Sequence, residues 1–464
     1  MRRYCRHYLF IIIIFLLSLG CQKKFDAPKH VFLIVIDTLR ADHLGCYGYK
    51  VPTSPIIDRL AQEGIVFTNA YATASNTLES TFSFFNATTA LTNRVHTLLP
   101  DHTAALSNTS LQKYLQQAGY NTLSVVSNPW LKWHQDYFQD SFTHYQFVGG
   151  RSWGILNTTN LVTQAVFDFL ENELDRNGKN FFYIHYLDPH DPYRPPVEYN
   201  FFSGKPPQNP PPIYVISREA GVKSKLKQDP DYSGMPVPAP LSENDLNYYI
   251  SKYDSEIRYV DFNIGRLIQT LESMKVLDDS LIIITSDHGE EFLEHGLLRH
   301  GFQLYDETIR VPLIFYWKNH LDAQVKDVIA SGIDIAPTIM DLCGQDMPSS
   351  MLGSSLLRKK NDKPILFCTH FINQNQRGMR MGKWKLIENA ATGEIKVFDM
   401  GNDPGERQNL FNDSLKEREK LLKSYKQLLA KHAVKLEDKE VKRPAQPSAM
   451  DDETREQLEG LGYL

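Results

Sequence analysis

Along this chain, continuous apolar runs rich in β-branched residues alternate with stretches whose apolar positions recur at helical spacing. Val31-Phe32-Leu33-Ile34-Val35-Ile36 is the first such run. It reads as a strand buried on both faces, as in a parallel sheet covered by helices. Ser54-Pro55 then opens a helix, with serine as N-cap and proline in the first turn. Ile56, Ile57, Leu60 and Ala61 give that helix its apolar face, and Gly64 ends it. The theme recurs. A strand is expected at Ile65–Ala70. A helix from Leu111 to Ala118 precedes a strand at Thr122–Val126. A helix from Asn160 to Leu174 precedes a strand at Phe181–Tyr186. A long helix from Asp245 to Met274 carries Tyr249, Tyr253, Ile257, Val260, Ile264 and Leu267 on one face and precedes the strand Leu281–Ile284. Strands alternating with helices predict an α/β fold, a mostly parallel central sheet flanked by helices.

Two stretches depart from this pattern. Residues 203–240 hold nine prolines, among them Pro210-Pro211-Pro212. They read as an extended surface insertion, and the α/β theme resumes after them. From about residue 363 the texture changes to short strands at Pro364–Thr369, Trp384–Ile387 and Ile395–Asp399, followed by a charged helix from Ser414 to Ala433. The expected organisation is thus a large α/β unit over 28–362, a small C-terminal α+β unit over 363–435, and a polar tail over 436–464.

Composition excludes several function classes. With 42% apolar and 23% charged residues in 464, the chain is an ordinary globular sequence. A net charge of −5 gives no basic field for nucleic acid. The one long apolar run is at the start, where Arg2, Arg3 and Arg6 precede an apolar stretch from Leu9 to Leu19. This is short for a bilayer span of about 20 residues and suits a signal peptide over 1–20. The run ends Leu17-Ser18-Leu19-Gly20-Cys21, which resembles a bacterial lipoprotein cleavage site with Cys21 as the lipidated residue. The expectation is an exported protein, anchored to a membrane through that lipid and facing the periplasm or cell surface.

In parallel sheets, function gathers at the carboxyl ends of strands. Asp37 follows the first strand. Asp188, His190 and Asp191 follow the strand at 181–186. Asp287 and His288 follow the strand at 281–284, with His295 and His300 beyond. Carboxylates and imidazoles delivered to one edge point to a divalent metal with catalytic histidines. Asp287-His288-Gly289 can place both side chains on one ion, because glycine permits the irregular turn. Such ligands leave Ca, Mg, Mn and Zn open. A nucleophile candidate lies in Ser75-Asn76-Thr77-Leu78-Glu79-Ser80-Thr81, ahead of an apolar segment. A hydroxyl there would meet the positive end of a helix.

These residues also carry a resemblance. Val35-Ile36-Asp37-Thr38-Leu39-Arg40-Ala41-Asp42 resembles the N-terminal metal motif of the sulfatase family, within the alkaline phosphatase superfamily. His185-Tyr186-Leu187-Asp188-Pro189-His190-Asp191-Pro192-Tyr193 is similar to its central histidine motif. Thr285-Ser286-Asp287-His288-Gly289-Glu290-Glu291, running on to His300-Gly301, is similar to its second metal motif. Asp334-Ile335-Ala336-Pro337-Thr338 and Gly382-Lys383-Trp384-Lys385-Leu386 resemble further segments. The resemblance implies an alkaline phosphatase-like sandwich and one divalent metal on Asp37, Asp287 and His288, with Thr77 as nucleophile and further ligand. It implies that His190 and His300 act on the transferred group or the leaving oxygen, and that Arg40 and Asp42 support them. Asn128, His185 and His295 are candidate substrate contacts. A second ion on Asp188, His190 and His300 is the two-metal variant.

The pattern departs from the family in places that bear on chemistry. Where sulfatases carry Cys or Ser in C/S-x-P-x-R, this chain has Thr77-Leu78-Glu79-Ser80-Thr81. Threonine cannot become formylglycine. A second aspartate common in the family is Thr38 here, and Lys132-Trp133-His134 sits a few residues late for the usual G-K-W-H segment. The expectation is a hydrolase of a sulfuric or phosphoric ester on a small molecule, glycan or lipid, with phosphate or phosphonate favoured by the threonine. A membrane-surface head-group transferase and a non-catalytic binding protein are the alternatives.

Overall fold

The structure, a computed structural model, describes residues 26–93, 110–134, 138–139, 141–149, 158–201, 242–358, 363–371, 374–413 and 416–433. The leader with Cys21, the proline-rich insertion and the polar tail lie outside the described residues. None of the described helices is long and apolar enough to cross a membrane.

In chain order the strands are β1 His30–Ile36, β2 Ile65–Tyr71, β3 Tyr120–Val126, β4 His144–Phe147, β5 Lys179–Tyr186, β6 Ser280–Thr285 and β7 Glu291–Phe292. They continue with β8 Leu298–Arg299, β9 Leu313–Tyr316, β10 Gln324–Ser331, β11 Ile365–Phe371, β12 Gln374–Met381, β13 Trp384–Asn389 and β14 Ile395–Asp399. Eight of them form one sheet in the order β10-β2-β9-β6-β1-β5-β3-β4. All pairings are parallel except those of β9, which runs antiparallel between β2 and β6. β1 lies between β5 and β6, and all seven of its residues are buried.

Alternation along β1 divides the core. Val31, Leu33 and Val35 join one apolar cluster with Leu78 and Phe82 of the Thr77–Asn86 helix and Ile335 and Ile339 of the Ile335–Leu342 helix. Phe32, Ile34 and Ile36 join another, with helices Pro55–Glu63, Thr159–Asn172 and Glu243–Ser273. A strand fed by two cores must be apolar at every position, which is why β1 reads as a continuous run. The expected mostly parallel sheet between helical layers is therefore present. The long helix starts two residues before the expected Asp245, because Ser242 and Asp245 form a capping box.

The C-terminal part is an antiparallel sheet, β11-β12-β13-β14, covered by the Arg418–Ala433 helix through Leu421 and Tyr425. Lys385, on β13, ties this sheet to the short Asp306–Ile309 helix that precedes β9. Its fully buried ammonium lies 2.7 Å from Asp306 and 2.8 Å from Glu406. Strands β4, β9, β10 and β12 were not expected. β12 opens Gln374-Asn375-Gln376-Arg377, and β10 opens Gln324-Val325-Lys326-Asp327, with Gln324, Val325 and Asp327 exposed. Polar residues of this kind carry no buried-strand signal.

Candidate active site

Parallel pairing brings the carboxyl ends of β1, β3, β5 and β6 to one edge of the sheet. Asp37 follows β1 directly, and its N–H donates to the Tyr186 carbonyl at the end of β5, 2.9 Å away. Ser286, after β6, ties the next turn together. Its hydroxyl donates to the His288 carbonyl (2.6 Å) and accepts from the Leu39 N–H (2.9 Å). Thr38 turns the chain with φ 56°, and its N–H donates to Asp287 Oδ1 at 3.3 Å. The His288 N–H donates to the same oxygen at 3.0 Å.

The remaining oxygens converge. Asp287 Oδ2 and Asp37 Oδ1 are buried and accept no hydrogen bond. His288 Nε2 lies 3.5 Å from Asp37 Oδ1 and 3.6 Å from Asp287 Oδ2. His288 Nδ1 lies 3.0 Å from the Gly289 carbonyl, a partner that takes the Nδ1 proton and turns the Nε2 lone pair toward the carboxylates. Burial and the charge of Asp287 push the Asp37 carboxyl well above the usual carboxylate range. Burial works against Asp287 too, but the His288 and His185 rings hold it below that range. Two buried carboxylates aimed at one point, with an imidazole lone pair beside them, need a cation between them. The donor set fits a divalent metal ion, and Asp37, Asp287 and His288 form such a cluster in the fold.

Thr77 is the first residue of its helix. The preceding Asn76 is the N-cap, accepting from the Glu79 N–H at 3.1 Å. Thr77 Oγ1 lies 3.3 Å from His288 Nε2 and accepts from Asn128 Nδ2 at 3.2 Å. The Asn128 amide also donates to Asp37 Oδ2 at 2.7 Å, so one side chain joins the nucleophile candidate to a carboxylate. Asn128 is itself held by the helix it caps, its Oδ1 accepting from the Trp130 N–H at 2.8 Å.

His190 and His300 stand edge to face, ring centroids 4.9 Å apart, and His300 lies 4.2 Å from the His288 ring. His190 Nδ1 is 2.5 Å from the Asp191 carbonyl, and His300 Nδ1 is 2.9 Å from Glu290 Oε1. These contacts keep the Nδ1 proton in place and make Nε2 the exchangeable position. Burial, then the charge of the neighbouring histidine, holds both rings well below the usual histidine value.

Other candidates fall elsewhere. His185 is fully buried on β5 with Nε2 3.5 Å from Asp287 Oδ2, so it faces the carboxylate pair where a substrate contact was expected. His295 does not join the cluster. Its Nδ1 bonds Glu307, its Nε2 lies 3.2 Å from the Glu406 carbonyl, and its ring stacks on Tyr305. Both ring nitrogens are thus engaged away from Asp37, Asp287 and His288, by Glu307 and by the Glu406 carbonyl. Asp188 Oδ2 accepts from the Thr159 N–H (3.0 Å) and hydroxyl (2.5 Å), which ties that oxygen to the start of the Thr159–Asn172 helix. Arg40 bonds Asp42, Glu294 and the Glu290 carbonyl, in keeping with a supporting place. Sequence reasoning passed over Ser286, which joins the two metal-side turns, and Glu290, which holds His300. Their one signal was position, inside and directly beside the Asp287-His288 motif.

The sulfatase family model matches residues 29–345, and the model of the C-terminal part of N-sulphoglucosamine sulphohydrolase matches 293–435. An N-acetylglucosamine-6-O-sulfatase of Bacteroides thetaiotaomicron is 25% identical, with 84% of each chain covered. Among solved structures, one described as bound to its substrate D-glucosamine-2-N,6-O-disulfate superposes with a TM-score of 0.71 at 22% identity, covering 88% of this chain and 98% of the other. A phosphonate monoester hydrolase of Agrobacterium radiobacter superposes at 0.67 with 20% identity, covering 87% and 96%.

Proposed function

The chain belongs to the sulfatase family of the alkaline phosphatase superfamily, whose members use a divalent metal, and from that premise we propose that it hydrolyses a phosphate or phosphonate ester with Thr77 as nucleophile. The observation that carries this reading is the placement of Thr77 Oγ1, at the start of a helix, 3.3 Å from His288 Nε2 and hydrogen-bonded to Asn128. The phosphorus preference rests on threonine chemistry. A sulfated threonine lacks the elimination route that formylglycine gives a sulfatase, so water would have to attack sulfur. A phosphorylated threonine is opened by water in line with the leaving oxygen.

A divalent ion on Asp37, Asp287 and His288 would lower the pKa of a nearby hydroxyl and offset the charge of the transferred group. The chain supplies the rest. Asn128 aims the Thr77 oxygen through its amide. The first turn of the Thr77–Asn86 helix favours an anionic oxygen at that point. The Thr77 hydroxyl gives its proton to a neutral ring of the His190–His300 pair, its oxygen attacks phosphorus, a Thr77–O–P bond forms, and the ester oxygen leaves. The ring so charged at Nε2 gives that leaving oxygen its proton. The neutral ring then takes a proton from water, whose oxygen attacks phosphorus and breaks the Thr77 ester. The ring returns that proton to Thr77 Oγ, so the threonine hydroxyl and the neutral ring are restored. Glu290, 2.9 Å from His300 Nδ1, steadies the charged form.

The test uses the chain from residue 22 onward with p-nitrophenyl phosphate, bis-p-nitrophenyl phosphate, a phenylphosphonate ester and p-nitrophenyl sulfate, each with Ca, Mg, Mn and Zn. Turnover of a phosphorus ester, reduced to background in Thr77→Ala, is expected. Sulfate turnover that depends on Thr77, or phosphorus turnover that survives Thr77→Ala, would overturn the reading.

A further inference from the structure

Beside the His190–His300 pair stands a permanent cation that the steps above do not use. Arg299 closes β8 and directly precedes His300. Its φ is 76°, and Gly301 on the other side of His300 has φ 93°. Glycine adopts this left-handed backbone freely, and arginine does so under strain. Strain held at a particular residue is a mark of sites where the side chain is required there.

The guanidinium is half satisfied. Nη2 lies 2.7 Å from Asp191 Oδ2, a contact through a single nitrogen. Nη1 is buried and has no acceptor. A guanidinium is a planar fork that meets a carboxylate or phosphate through two N–H groups at once, and a buried donor without an acceptor is unfavourable. The fork is also close to the chemistry. Asp191 adjoins His190 and Arg299 adjoins His300, so the ion pair bridges the two loops that carry the histidines. The Arg299 charge is among the causes that hold both rings down. Around it, Tyr249 of the long helix feels both Asp191 and Arg299, and Arg194 also faces Asp191.

Resting on the ester-hydrolase reading, we propose that Arg299 is a substrate-binding residue for a second anionic group, carried by the leaving alcohol of the ester. The substrate class is thereby narrowed to esters whose alcohol bears a carboxylate or comparable anion within reach of the leaving oxygen. Asp191 holds the guanidinium in place, and the open Nη1 side receives the anion.

Binding separates this proposal from the question of turnover. In the Thr77→Ala chain, with Zn present, calorimetry compares phenyl phosphate with 4-carboxyphenyl phosphate. The carboxylate-bearing ester is expected to bind about tenfold more tightly. Arg299→Gly, which relieves the backbone, is expected to keep or raise the melting temperature and to remove that preference. Arg299→Lys, which keeps the charge without the fork, is expected to retain part of it. Equal binding of the two esters in the parent, failure of both to bind, or an undiminished preference in Arg299→Gly would overturn the proposal. A large fall in melting temperature in Arg299→Gly with the preference intact would make the ion pair a brace between loops. Hydrolysis of the same two esters by the chain carrying Thr77 is read separately. Absence of turnover there would count against the hydrolase reading and leave the binding comparison standing.

Discussion

The side of the site that carries Asp37, Asp287 and His288 hangs from β1 and β6, paired neighbours in the middle of the large sheet. The side that carries His190, Arg299 and His300 hangs from the loop after β5 and from a hairpin of two-residue strands, β7 and β8. On the first side the spare backbone groups near the cluster are spoken for. Thr38 and His288 N–H groups fix Asp287 Oδ1, and Ser286 joins the two turns. The second side holds its shape through side chains. Glu290 holds His300, Asp191 holds Arg299, and Leu293, Arg299 and Gly301 all take left-handed backbone. A carboxylate set on central strands keeps its geometry while loops vary, whereas a loop-borne set can be retuned by single substitutions. The comparison assigns the common chemistry to the sheet side and the choice of substrate to the loop side.

The largest expected effect breaks the sheet side. Asp287→Asn keeps the shape and the hydrogen bonds to Oδ1 and removes one charge. It is expected to lower kcat/KM on the order of 10³-fold. Metal content measured after dialysis should fall with it. Unchanged metal content would refute the assignment of the cluster.

A smaller effect belongs to the loop side, and it depends on the leaving group. His300→Asn is expected to cost about 10²-fold on alkyl esters, whose oxygen needs a proton as it leaves. On p-nitrophenyl esters, whose oxygen leaves as a stable anion, the loss should be under about tenfold. Equal losses on both would remove His300 from proton transfer and return it to binding.

The same division governs what the sequence disclosed. β1 and β6 are apolar at nearly every position because both faces are buried, and the residue after such a run is at the sheet edge by construction. Asp37, Asp287 and His288 were therefore findable, and Thr77 was findable as a hydroxyl ahead of an apolar helix. His295 and Asp188 show where that logic stops. Each lies in the right stretch, but Glu307 and the Glu406 carbonyl claim one, and the start of the Thr159–Asn172 helix claims the other. Which partner a loop side chain takes is set by elements far away in the chain, and no local pattern records it. Arg299 escaped notice for the same reason, since neither its backbone strain nor its half-filled guanidinium has a sequence signal. The polar β12 was missed because its support comes from neighbouring strands.

The smallest effect tests whether the loop side carries buried charge that the sheet side has resolved. Glu291, on β7, is buried, with Oε1 3.2 Å from the Gln303 amide and Oε2 without a partner. Burial, followed by the charges of Glu307, Glu294 and Glu290, pushes its carboxyl up to about 9. In the unfolded chain it titrates near 4.5. Between those values the folded chain keeps a proton that the unfolded chain has released, so stability falls as pH rises through this window and is complete below it. Glu291→Gln keeps the shape of the protonated acid and removes the titration. With EDTA present, the difference in unfolding free energy between the variant and the parent should grow by about 1 kcal/mol per pH unit between pH 6 and pH 8. Denaturant midpoints across that range supply the measurement. A constant difference would mean that Glu291 ionises without penalty, and that the hairpin under Arg299 and His300 is better solvated than its burial indicates.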